Sequence, residues 1–138
     1  MMEDIKMEIK NAKITDVSIS MADHGCLVVN VYLQGSGWFT RLGGYANGHG
    51  YLDSDYWEGN GSAIVAMMKI MDTVGVSKWE SLVGQYVRVE IPGPGLSITK
   101  IGHILKDKWF DLRTFYENAS KEKPFILDER KKEDVDEE

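Results

Sequence analysis

Cysteine is nearly missing from this chain. Of 138 residues only Cys26 is one, which excludes an intrachain disulfide framework and a zinc site made of cysteines alone. Proline occurs three times, twice in Pro92-Gly93-Pro94-Gly95, which reads as a stiff turn. No run approaches the roughly 18 apolar residues of a membrane span. The opening MMEDIKMEIK is too charged for a secretory signal, so the expected compartment is the cytoplasm. Basic residues are outnumbered, 16 against 22, for a net charge of −6. Residues 117–138 carry −4 of that, and a near-neutral body with an acidic tail argues against general nucleic-acid binding.

Catalytic and cofactor patterns are scarce too. His24, His49 and His103 form neither an HxxxH nor an HxH pair, so no metal is expected even with Asp23, Asp53, Asp55 and Glu58 nearby. His24 next to Cys26 lacks an orienting third group, and Cys26 reads as a core residue. There is no GxxxxGK[ST], and GGYANGHG lacks the strand-then-helix setting of a dinucleotide fingerprint. No cofactor and no enzyme are expected.

What the chain does have is glycine and aromatic side chains, packed into one stretch. Residues 35–61, GSGWFTRLGGYANGHGYLDSDYWEGNG, hold eight of the fourteen glycines and six of the fourteen aromatics. That composition predicts a long functional loop, an aromatic wall or lid. Strands are expected over 7–20, 26–34 and 38–43, with a turn at 22–25. SAIVAMMKIMDTVG has Ile64, Met67, Met68, Met71 and Val74 at helical spacing, with Asn60 or Ser62 as N-cap and Gly75 at the C-terminal end. Ser77-x-x-Glu80 has capping-box spacing. Gln85–Ile91 alternates Tyr86, Arg88 and Glu90 against Val87, Val89 and Ile91. Its partner is expected over 96–105, followed by a short helix from about Asp107. Pro124-Phe125-Ile126-Leu127 is an apolar island in the tail, placed to dock on the body or on a partner.

The fold class is therefore α+β: an antiparallel sheet packed by one main amphipathic helix and one or two short ones. The expected organisation is a single domain over 1–116 and a charged flexible tail over 117–138. Arginine forks suit phosphate and planar rings stack on bases. The candidate ligand-binding set is Arg41, Tyr45, Asn47, Trp57, Tyr86, Arg88, Trp109 and Arg113.

Four segments, DHG at 23–25, GGY at 43–45, TVGVSKWESLVGQYVRV at 73–89 and KIGHILKDKWFD at 100–111, carry a resemblance. Over residues 9–116 the chain resembles small bacteriophage and prophage proteins, and among them the Thoeris anti-defence sponge family. That resemblance implies a β-rich homo-oligomer in the infected host's cytoplasm. It would sequester a cyclic nucleotide signal of the cyclic ADP-ribose type, or cyclic oligonucleotides, without cleaving it. It assigns no individual residues. The alternative partner is a host defence protein, inhibited by direct binding in the manner of an anti-CRISPR or anti-restriction protein.

Overall fold

The computed structural model describes residues 7–21, 25–50, 55–92, 97–119 and 121–130, with the side chains of 46, 47 and 49 also outside the description. The predicted turns at 22–25 and 92–95 fall largely outside these residues.

The fold is α+β, as expected, built on an eight-stranded sheet in the order β7-β6-β5-β1-β2-β3-β4-β8. The strands are β1 (Glu8–Met21), β2 (Cys26–Gly35), β3 (Trp38–Gly50), β4 (Tyr56–Gly59), β5 (Tyr86–Ile91), β6 (Lys100–His103), β7 (Trp109–Asp111) and β8 (Phe125–Asp128). Every neighbouring pair is antiparallel. The first four strands form a meander. Helix α1 (Gly61–Val74) then carries the chain back so that β5 pairs with β1. A 3-10 turn (Trp79–Leu82) precedes β5, and α2 (Leu112–Asn118) links β7 to β8.

Strand alternation sorts side chains onto two faces. The covered face holds Ala12, Ile14, Val31, Leu33, Leu42, Val87, Val89, Ile101 and Phe110, packed with Ala66, Ile70, Val74 and Leu82. Burying each large aliphatic contributes about 1.5–3 kcal/mol. The helix lies down on a different stripe from the predicted one. Ala63, Ala66, Ile70, Thr73 and Val74 are buried, while Ile64 and Met68 stand 63% and 57% exposed. Both stripes are helically spaced, and the small side chains of Ala63 and Ala66 let the backbone approach the sheet closely.

Gly75 ends α1 in the left-handed conformation, φ 98°, as expected. Asn60 makes no side-chain cap. Instead the Glu122 carboxylate accepts from the Ser62 N–H at 3.0 Å, satisfying one of the first-turn donors from sixty residues away. The Ser77–Glu80 spacing likewise produces no cap, and Lys78 precedes the 3-10 turn without a side-chain bond. Strand β7 and an Asp111 cap, accepting from Thr114 N–H at 3.1 Å, replace the helix expected from Asp107.

The largest departure is the glycine-rich stretch, whose described residues are strand over Trp38–Gly50 and Tyr56–Gly59 where a long loop is expected. Gly43 and Gly44, at φ 128° and 87°, absorb a register shift in β3 that other residues would resist. Beyond them the strand continues to Gly50 and pairs with β4. Three tryptophans lie across glycines directly opposite on the paired strand: Trp38 on Gly35, Trp57 on Gly50 and Trp109 on Gly102. A Cβ on any of these glycines would come within 2.6 Å or less of the ring. The glycines thus act as seats for rings. The apolar island is strand β8, paired along β4, so the chain rejoins the sheet after residue 117.

Candidate functional site: the open face of the sheet

The second face carries the alternate residues of the same strands, and no helix among the described residues packs on it. Its rows follow from the register. One row runs Trp109, Gly102, Arg88, Asn11 across β7, β6, β5 and β1. The next runs Tyr86, Lys13, Gln34, Phe39 across β5, β1, β2 and β3. A third runs Asp16, Tyr32, Arg41 across β1, β2 and β3. Lys100 faces Glu90 at 3.8 Å beside the first row.

Trp109 is the best-defined group on this face. Its ring lies against Gly102 and is flanked by the Arg88 guanidinium at 4.8 Å and the Lys100 ammonium at 5.4 Å from the ring centroid. Arg88 donates to the carbonyls of His103 at 2.8 Å and Lys106 at 2.6 Å, which holds the turn between β6 and β7. His103 Nδ1 accepts from the N–H groups of Leu105 and Lys106, both at 3.0 Å. That nitrogen is committed to the turn and is not available as a base.

Across the face, Tyr86 is 57% and Phe39 76% exposed. The Lys13 ammonium stands 5.9 Å from the Tyr86 ring centroid. Between Tyr86, Lys13, Asn11 and Gln34 the surface sinks into a concavity of about 280 Å³. Lys13 and Arg41 have no carboxylate partner among the described residues.

The predicted site residues therefore divide. Arg41, Tyr86, Arg88 and Trp109 share the open face. Tyr45 does not: it packs against the core on the covered side, its ring 5.0 Å from that of Tyr116. Burial raises the Tyr45 pKa and pushes Tyr116 up to about 12. Trp57 also points to the covered side, where it lines an apolar cavity of about 420 Å³ with Leu27, Ala63, Ile64 and Phe125. Arg113 is exposed on α2 and bonded to Glu117 at 3.3 Å. Asn47 is in β3 with its side chain outside the described residues. The predicted set omits Lys13, Tyr32, Phe39 and Lys100. Their signal is the polar phase of β1, β2, β3 and β6, visible once the strands of the sheet are set in order.

No group of three or more His, Cys, Asp or Glu that could hold a metal occurs among the described residues. Nor is any described helix long and apolar enough to cross a membrane. Comparison with protein-family models, curated proteins and solved structures returns no match.

Proposed function

We propose that this protein binds single-stranded nucleic acid on the open face of its sheet, holding bases on aromatic rings and phosphates on Lys and Arg, and that it acts by binding rather than by chemistry. The observation that carries this reading is Trp109, laid flat on a glycine and flanked by two cations, on the same face as the exposed rings of Tyr86 and Phe39. Stacking on such rings contributes about 1–3 kcal/mol per base, and every base has a face to stack. From β7 to β3, Lys13, Arg41, Arg88 and Lys100 stand against Asp16, Glu90 and Asp111 on this face, although the whole chain is acidic.

Size favours a strand over a single nucleotide. From β7 to β3 is five strand steps, about 24 Å at ~4.8 Å each, matching a site of about four nucleotides, at the short end for one small domain. A ligand the size of one nucleotide cannot bridge Trp109 and Phe39.

A narrower reading, implied by the Thoeris resemblance, is a phage protein that sequesters a cyclic ADP-ribose or cyclic oligonucleotide signal. The concavity beside Tyr86 and Lys13 favours it, being close to the ~300 Å³ where small-molecule sites begin. Both ligands are base plus phosphate, and one experiment separates them. Fluorescence anisotropy is read with labelled single strands of about twelve nucleotides, DNA and RNA, and with the matching duplex. A thermal-shift panel with cyclic ADP-ribose isomers and cyclic dinucleotides runs beside it. Saturable binding of single strands, weaker for duplex, is expected. A thermal shift with a cyclic nucleotide and no single-strand binding would transfer the site to that ligand. Silence in both assays would remove nucleotides from the account.

A further inference from the structure

We infer that the protein forms a symmetric dimer by pairing strand β8 with β8 of a second copy. Strand β8 is the last in the sheet order, so its outer edge is unpaired among the described residues. It is also unusually apolar for an edge: Phe125, Ile126 and Leu127 are 76%, 50% and 41% exposed. Edge strands are normally blunted by charge or covered, because an open apolar edge is a template for another strand.

The direction of the backbone identifies which groups are on offer. Glu129 N–H donates to the Asp55 carbonyl at 2.8 Å, in step with the β4–β8 register. In an antiparallel ladder the hydrogen-bonding direction alternates. Phe125, Leu127 and Glu129 therefore bond inward to β4, and Ile126 presents both its N–H and its C=O outward. A residue with both groups outward can pair with its own copy across a two-fold axis, each Ile126 donating to the other's carbonyl.

That axis puts Phe125 opposite Leu127 of the second copy and Lys123 opposite its Glu129. Shifting the centre by one residue, to Leu127, sets Phe125 against a glutamate and Ile126 against an aspartate. Centring on Phe125 sets Leu127 against a lysine. The Ile126 centre sets only Pro124, which has no N–H to donate, against an aspartate, and it alone also matches Phe125 with Leu127 and Lys123 with Glu129; a self-complementary patch is what a two-fold dimer requires. Antiparallel edge pairing rotates one sheet in its own plane, so the open faces of both copies lie on one side. The dimer is independent of what those faces bind.

Sedimentation velocity on the full chain, from about 1 to 500 µM, tests this over the range expected of a small interface. The expected result is conversion from monomer to dimer mass within that range. Ile126→Pro removes the central N–H without touching the bonds to β4, and should give monomer throughout with a near-native melting temperature. Lys123→Glu should weaken the dimer about tenfold by placing like charges opposite at both symmetry-related positions. Adding Glu129→Lys to that variant should restore it. Wild type that stays monomeric, or a dimer indifferent to Ile126→Pro, overturns the inference.

Discussion

The two faces of this sheet are made by the same strands, residue by alternate residue, yet they are filled by different rules. On the covered face Ile14, Leu33, Val87 and Ile101 are wholly buried and chosen for volume. On the open face the alternate positions hold Lys13, Tyr32, Phe39, Arg41, Tyr86, Arg88 and Trp109. A face that only met water would have no need of large rings, since short polar side chains keep a strand soluble. The contrast separates residues that hold the protein together from residues that have no stabilising work of comparable size.

That separation can be broken deliberately. The largest effect is expected on the covered face: Leu33→Ala or Ile101→Ala should cost about 2–5 kcal/mol, read as a fall in the urea midpoint. Ligand affinity per folded molecule should be unchanged. Gly102→Val acts on the open face but touches both properties, because the new Cβ would sit 2.6 Å from the Trp109 ring. It should cost about 1–3 kcal/mol in stability and also weaken binding, since the ring must leave its seat. On the open face, Phe39→Ala and Tyr86→Ala should each weaken single-strand binding by about 1–3 kcal/mol. Their stability should stay within about 0.5 kcal/mol of wild type.

Smaller effects sharpen the contrast further. Arg41→Gln or Lys13→Gln should lower the slope of log affinity against log salt by about 0.7 for each phosphate that is no longer neutralised. Tyr116 gives a pH test confined to the covered side. Burial, with the Tyr45 phenolate adding to it, pushes its pKa up to about 12, so the folded state favours the neutral phenol. The resulting stability is complete below about pH 10, the usual tyrosine value, and is lost as pH rises from there through 12. Urea midpoints between about pH 9 and 11.5 should therefore fall less for Tyr116→Phe than for wild type.

The fold class is legible in the sequence because its signals are local. Val87 and Val89 alternate cleanly, Cys26–Gln34 is β-branched, and Gly75 sits where a helix must stop. The glycine-rich stretch is not legible in this way, because glycine looks the same in a loop and under a tryptophan. Only the register, which pairs Gly50 with Trp57, reveals the second use. The buried helix stripe is hidden because Ala63 and Ala66 carry no hydrophobic emphasis, although their smallness governs the approach to the sheet. Tyr45, Trp57 and Arg113 lie off the open face for one reason. Aromatic and arginine content shows which residues could bind a nucleotide, but the face each one occupies depends on strand order, and β5 beside β1 is a long-range fact.

The most direct test of the central claim is ultraviolet cross-linking of the protein to a thymidine-rich single strand, followed by mass-spectrometric mapping of the modified peptides. Cross-links should fall on Tyr32, Phe39, Tyr86 and Trp109, and disappear under competing unlabelled single strand. Specific cross-links confined to Tyr45, Trp57 or Tyr116 on the covered side would contradict it.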